Sequence, residues 1–180
     1  MKSIIRLALA LSALALAAPA AAAEQQRPKI GLGIAIAPYD AAGVLPAIEV
    51  YVPIRIAPQF RLEPSLGIYT RNAPTGGTDT SDITLGIGAF WVKQIAAPVD
   101  MYAGGRLKLD FASSDDGVTS DSDTNIVLAG ALGAEYYLVS QFSVGLEAQL
   151  GLYQRGTAGA FGGDDSGFFT TGLAFLRLYF

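Results

Sequence analysis

The stretch TTGLAFLRLYF, residues 170–180, decides the fold of this chain. Successive side chains of a β-strand point to opposite faces, so this stretch predicts a strand with two very different sides. One face is wholly apolar and the other contains a charge: Ala174, Leu176, Leu178 and Phe180 against Phe175, Arg177 and Tyr179. Such a strand suits a boundary between lipid and a polar interior.

The composition extends this reading to the whole chain. Hydrophobic residues make up 51% and the mean hydropathy is +0.38. Beyond the first two dozen residues, however, no apolar run approaches the roughly 20 residues that a membrane-spanning helix needs. Because lipid offers no hydrogen bonds to the backbone, only helices and closed barrels cross a membrane. The distributed apolarity therefore predicts a β-barrel, and the absence of cysteine means that no disulfide stabilises it.

The N-terminus has the pattern of a secretory signal peptide. Lys2 and Arg6 are followed by an apolar run over residues 7–18 and by the small residues Ala21 to Ala23. We expect residues 1–23 to be cleaved and residues 24–180 to form one outer-membrane barrel domain. The formal charge of −4 becomes more negative when Lys2 and Arg6 are removed, which argues against a nucleic-acid partner.

Period-two alternation between turn signals predicts eight strands. They cover residues 29–37, 45–56, 60–70, 82–95, 101–111, 124–138, 142–154 and 168–180. Pro46, Pro53 and Pro64 weaken the second and third of these, because proline cannot donate to a strand ladder.

The connections alternate between short and long. Residues 56–59, 96–100 and 139–141 read as short turns, whereas residues 38–44, 71–81, 112–123 and 155–167 are longer, and most of them are rich in Gly, Ser, Thr and Asp. This asymmetry is typical of outer-membrane barrels with short periplasmic turns and longer extracellular loops. The predicted fold is therefore an all-β, eight-stranded, antiparallel, up-and-down transmembrane barrel.

Strand parity separates a lipid face from an interior face. A basic side chain at the lipid midplane costs about 2–4 kcal/mol, so charged positions are expected to point inward. Five acids and five bases then form a balanced interior network: Glu49, Arg55, Arg61, Glu63, Arg106, Lys108, Asp110, Glu135, Glu147 and Arg177. Because an eight-stranded barrel is just wide enough to be filled by side chains, we interpret this network as a structural plug, with an ion path as the alternative.

The residue types exclude most catalytic chemistry. There is no His and no Cys, which removes the usual nucleophile and base systems and His-based metal sites. The acidic pairs Asp115-Asp116 and Asp164-Asp165 are expected to be solvated loop charges, and the oxygen-rich segment 113–123 does not match a calcium-binding loop. We predict no enzyme activity, no metal site and no cofactor. Arg71 and Arg155 flank long loops, where they are candidates for contact with lipopolysaccharide phosphates or simply solvated charges.

Over residues 29–180 the chain resembles the family of small bacterial outer-membrane proteins with an OmpA/OmpX-type barrel, often termed opacity-like or porin-like. The strand count, the loop asymmetry, the segment 135–144 and the terminal Phe180 carry the resemblance. It implies that Phe180 is read by the barrel-assembly machinery as an insertion signal. It also implies outer-membrane lipid and lipopolysaccharide as surroundings. We expect a monomer because a closed barrel has no free edge.

Three functions are compatible with these sequence features. The leading expectation is a structural or surface-interaction barrel, whose loops contact lipopolysaccharide or other ligands. A narrow conduit for small or hydrophobic solutes is the alternative, and a lipid-modifying enzyme is the third. A soluble lipocalin-like barrel is the architectural rival. Lipocalins, however, do not show this alternation of short and long connections.

Overall fold

A computed structural model describes residues 28–36, 48–74, 77–156 and 166–180. The regular structure of these residues is entirely β-strand. The strands are β1 (Gly31–Ile36), β2 in two segments (Ile48–Tyr51 and Ile54–Ala57), β3 (Phe60–Arg71), β4 (Asp79–Ala96), β5 (Val99–Asp115), β6 (Ser120–Val139), β7 (Phe142–Gln154) and β8 (Ser166–Tyr179). The predicted signal peptide, residues 38–44 and most of residues 155–167 lie outside the described residues.

The sheet closes on itself. Each strand pairs antiparallel with the next one along the chain, and β8 pairs with β1 from Gly31 opposite Tyr179 to Ile36 opposite Ala174. The structure thus confirms the predicted eight-stranded antiparallel barrel. Closure gives each described strand a neighbour on both sides, and on β8 the pairing with β1 covers residues 174–179. Paired edges are what a lipid-exposed sheet requires.

Strand β2 is one strand whose ladder is interrupted at Val52 and Pro53. The register with β3 is the same on both sides of the break, since Tyr51 lies opposite Ser65 and Ile54 lies opposite Leu62. The amide of Val52 donates to the carbonyl of Pro64 at 2.9 Å, but proline cannot return the bond. The predicted weakness at Pro53 and Pro64 is therefore a local gap in hydrogen bonding without a change of register.

Strands β4, β5 and β6 are longer than the sequence pattern predicted. The segment expected as a loop over residues 112–123 is mostly ladder, with Ala112 opposite Asp123 and Asp115 opposite Ser120. Only residues 116–119 form the turn. The prediction failed because Ser and Asp rarely mark strands, whereas here the pairing simply continues beyond the apolar residues.

The turn expected over residues 96–100 is also shorter than predicted. Val99 and Asp100 belong to β5, which leaves the two residues 97–98 as the turn. This correction moves Asp100 into the barrel interior, where its exposed fraction is 1%.

Exposure alternates along the strands and gives the barrel its two faces. The outward face is an apolar belt that includes Ile34, Leu85, Leu107, Leu128 and Leu176, each exposed by 43–57%. At the end with the long loops the belt gives way to outward-facing Ser81, Ser113 and Ser122. Among the described residues, no helix has the length and apolarity to cross a membrane.

Candidate functional site

Glu63 is the centre of a cluster of buried ion pairs inside the barrel. Its Oε1 lies 2.7 Å from Arg61 Nε and 2.7 Å from Arg177 Nη2, and its Oε2 lies 2.7 Å from Arg106 Nη2. The Glu63 side chain has no exposed surface. A buried carboxylate is tolerable only when it is paired and hydrogen-bonded, and three guanidinium groups from β3, β5 and β8 meet that need.

Glu135 is the second acid of the cluster and lies nearer the short turns. Its Oε2 pairs with Arg61 Nη1 at 2.7 Å and with Arg177 Nη1 at 2.5 Å. Its Oε1 accepts hydrogen bonds from the hydroxyls of Ser143 at 2.5 Å and Tyr179 at 2.7 Å. The carboxylate is therefore satisfied by two cations and two neutral donors at once.

Arg106 connects this cluster to the next layer toward the long loops. Besides Glu63 it pairs with Glu147, whose carboxylate also accepts from Tyr102 at 2.8 Å and Gln149 at 2.6 Å. Lys108 and Glu49 form a separate pair above it at 2.6 Å. The Glu63–Arg106 pair thus connects Glu147 to the cluster around Glu63 and Glu135.

Aromatic rings fill the space between the guanidinium groups. The Arg177 Cζ lies 4.0 Å from the ring centre of Phe175, and the Arg61 Cζ lies 4.4 Å from that of Tyr102. Arg61 Nη2 and Arg177 Nε have no hydrogen-bond acceptor among the described residues. Contact with the ring faces offsets part of this deficit, because an aromatic quadrupole attracts a cation.

The remaining predicted interior residues lie at the two mouths of the barrel. Arg55, whose side chain is 14% exposed, pairs with Asp100 at 2.9 Å at the short-turn end. Asp110 lies toward the long loops and accepts hydrogen bonds from Thr84 and Asn125, both at 2.8 Å. Arg55 and Asp110 therefore lie apart from the central cluster.

Sequence reasoning missed two interior acids, Asp82 and Asp100, which are 4% and 1% exposed. Both obey the inward parity of their strands. Asp82 is the first residue of a predicted strand, so parity alone could have found it, whereas Asp100 falls in a segment that was predicted as a turn. With them, the buried acids of the described interior outnumber its bases, and the expected balance of five against five does not hold.

The acidic turn between β5 and β6 uses its carboxylates to organise its own backbone. Asp115 accepts from the amide of Gly117, and Asp116 accepts from the amides of Thr119 at 2.7 Å and Val118 at 2.9 Å. These amides, that of Thr119 first, lower the pKa of Asp116. Gly117 has a φ of 81°, which favours glycine.

Phe180 lies at the closing seam of the barrel. Its amide donates to the carbonyl of Ile30 at 3.0 Å, and its side chain is 71% exposed. The predicted insertion signal is therefore a projecting aromatic group beside β1.

The chemistry available to this interior is charge neutralisation and packing. The described carboxylates of the central cluster are held by cations and by neutral hydroxyl donors. Aromatic rings and ion pairs pack against one another in the interior between β3 and β8. An eight-stranded barrel is just wide enough for such side chains.

Comparison with known proteins supports the architecture. The family model for the outer membrane protein beta-barrel domain matches residues 7–175. Comparison with curated proteins finds no match.

Three solved structures share the fold at low sequence identity. Neisserial surface protein A has 22% identity and a TM-score of 0.51, over 84% of this chain and 95% of its own. The N-terminal barrel of Pseudomonas aeruginosa OprF has 11% identity and a TM-score of 0.53, over 86% and 100%. Yersinia pestis Ail, solved with the heparin analogue sucrose octasulfate, has 13% identity and a TM-score of 0.53, over 84% and 97%.

The match of the family model spans most of the sequence, and the closed barrel and its outward apolar belt agree with it. The chain belongs to the outer membrane protein beta-barrel domain family, and its belt accordingly faces the lipid of an outer membrane.

Proposed function

We propose that this protein is a non-enzymatic surface-contact barrel with a closed interior. The observation that carries the proposal is the position of Glu63, which binds arginines from three strands at the centre of the barrel. A solute would have to separate these pairs, which costs several kcal/mol for each charge left unpaired. The interior then stabilises the barrel, and the extracellular end makes the contacts with the surroundings.

The contact element is the extension of β4, β5 and β6 beyond the apolar belt. Paired strands continue to Asp79, Asp115 and Ser120, so this region is a ladder with a four-residue turn at its tip. Acids dominate the described residues there: Asp79, Asp115, Asp116, Asp121 and Asp123. We infer that the preferred partner surface is basic.

The heparin analogue bound to Ail provides a contrast. A sulfated sugar needs a cationic surface, whereas the described loop residues of this chain offer mainly carboxylates. Arg71 is exposed and the Arg155 guanidinium lies 5.1 Å from the ring centre of Tyr153, so a lipopolysaccharide phosphate contact at these two sites stays a subordinate part of the proposal.

Two measurements test the proposal. Planar bilayers containing the refolded full chain should show no steady conductance, and open channels would favour the conduit instead. Nanodiscs with the full chain should bind polylysine but not sucrose octasulfate. Asp116→Asn should weaken polylysine binding, whereas Asp110→Asn removes the same charge from the interior and serves as the matched control. Equal binding of polylysine and sucrose octasulfate would contradict a basic partner.

The proposal has two further parts. The barrel-assembly machinery inserts the protein by recognising Phe180, and the inserted protein is a monomer. The exposed ring of Phe180 at the β1–β8 seam supports a recognition role. Closure of the sheet supports the monomer, because edge pairing between copies has no free strand to use.

A further inference from the structure

Lys93 is an unusual residue on the lipid face. It is exposed and lies on β4 between the outward-facing residues Trp91 and Ile95. On the described strands it is the single charged side chain of the outward face between the hydroxyl rim and the short turns. A basic side chain is costly at the bilayer midplane and nearly neutral near an interface, so its tolerated place is the periplasmic headgroup level.

Aromatic groups fix the depth of Lys93. Trp91 and Phe60 pack edge to face with ring centres 5.1 Å apart, and they are 48% and 46% exposed. Trp and Tyr side chains concentrate at the interface, where an amphipathic ring meets both hydrocarbon and headgroups. The ammonium group of Lys93, two residues closer to the turn, therefore reaches the layer that contains phosphate.

A groove on the outward face begins beside this position. Ala103 lies opposite Trp91, next to Met101, which lies opposite Lys93. From Ala103 the groove crosses β6, β7 and β8 with a volume of about 790 Å³. Its floor is made of small residues, Gly130, Ala148 and Gly172, and its walls are Leu132 and Leu150.

The course of the groove matches that of a lipid tail. Ala103 lies close to the turn at residues 97–98, whereas Thr170 and Gly172 lie well inside β8, so the groove climbs from the periplasmic interface toward the membrane centre. A cation near its lower end and a shallow, mainly apolar groove above it are complementary to an anionic headgroup and its acyl chain.

We propose that Lys93 and this groove form a binding site for an anionic phospholipid of the periplasmic leaflet, with phosphatidylglycerol as the ligand. The ammonium group of Lys93 binds the phosphate and the acyl chain lies over Ala103 and Gly130. Lipopolysaccharide occupies the opposite leaflet, so it does not reach Lys93. The site is independent of the surface contact proposed for the extracellular end.

The chain contains a single Trp, and Trp91 lies in the site, so its fluorescence reports the neighbouring lipid directly. The full chain is reconstituted in vesicles that contain either dibrominated phosphatidylglycerol in phosphatidylcholine or the reverse mixture, because bromine quenches Trp emission at short range. A lysine near an anionic surface contributes about 1 kcal/mol, so quenching should indicate an about fivefold preference for phosphatidylglycerol. High salt should reduce this preference.

Matched variants separate the site from general surface charge. Lys93→Gln should abolish the preference, whereas Lys29→Gln removes a charge from the same end of the barrel and should leave it intact. Ala148→Leu fills the groove with no change in charge and should lower quenching by tail-brominated phosphatidylglycerol.

Equal quenching by the two lipids in the unmodified chain would overturn the site, as would a preference that survives in Lys93→Gln. Unchanged quenching in Ala148→Leu would overturn the groove as the seat of the acyl chain. All of these outcomes are independent of polylysine binding at the loops.

Discussion

Arg177 on β8 donates to Glu63 on β3 over 2.7 Å, although the two residues are 114 positions apart in the chain. The bond crosses the barrel interior and joins strands that are not neighbours in the sheet. Arg177 also pairs with Glu135, so one guanidinium holds both central acids. This relationship makes the interior a network whose parts depend on one another.

Arg106→Leu should destabilise the barrel strongly. The change leaves Glu147 without its cation and removes one of the three arginines on Glu63. Breaking a buried pair costs about 3–5 kcal/mol, which should appear as a lower urea midpoint in detergent micelles. Arg71→Leu, at an exposed position, is the control with little expected change. Unaltered stability together with a rise in bilayer conductance would refute the plug.

Pro64→Val should close the gap in the ladder of β2. The new amide can donate to the carbonyl of Val52, whose own amide already donates to residue 64. A net hydrogen bond contributes about 0.5–1.5 kcal/mol, partly offset by the loss of proline rigidity in the unfolded chain. Hydrogen exchange should slow in peptides covering residues 48–57. Pro74→Val, outside the ladder, should leave exchange unchanged, and equal effects of both variants would reject this explanation of the break.

Gly104→Ala should destabilise the β4–β5 wall. A Cβ at residue 104 would overlap the carbonyl oxygen of Ala89, which belongs to the backbone and cannot move aside easily. Overpacking of this kind costs about 1–3 kcal/mol, measurable from unfolding in urea. Gly130→Ala is the matched control, since its nearest atom would be the Leu150 carbonyl oxygen at 3.8 Å. Similar losses of stability in the two variants would show that the clash with the Ala89 carbonyl oxygen is not the cause.

The turn at residues 116–119 should loosen only below the ordinary aspartate titration range. Backbone donors in the folded turn lower the pKa of Asp116. The ionised carboxylate stabilises the turn fully above the ordinary aspartate range. This stabilisation is lost as the pH falls through the pKa of Asp116 in the folded protein. The amide signals of Val118 and Thr119 should therefore shift below the usual aspartate titration, as NMR can follow. Asp116→Asn should remove the transition, and a midpoint at the ordinary aspartate value would contradict the assignment.

Alternation alone was sufficient to predict the barrel and the inward position of its central charges. Arg61, Glu63, Arg106 and Arg177 sit at positions of inward parity in strongly patterned strands, and each is at most 5% exposed. Hydrophobic alternation could not predict where β5 ends, because the Ser and Asp residues beyond Phe111 pair as well as apolar residues do.

Partner choice was equally beyond the sequence. Parity places Glu63 in the interior but contains no information on depth across the barrel, so its contact with Arg106 was not predicted. Turn signals placed Asp100 in a turn outside the barrel. The ion pair between Arg55 and Asp100 was therefore not predicted.

The pairing of β8 with β1 has a consequence for assembly. The strand that supplies the last row of backbone bonds also supplies Arg177, so a seven-stranded intermediate would hold Glu63 and Glu135 with less positive charge than the finished barrel. Pairing of β8 with β1 and neutralisation of Glu63 and Glu135 are thus coupled in one cooperative step. An incompletely closed barrel would accordingly be destabilised in two ways. Its edge strands would have unpaired backbone groups in lipid, and its central carboxylates would lack part of their positive charge.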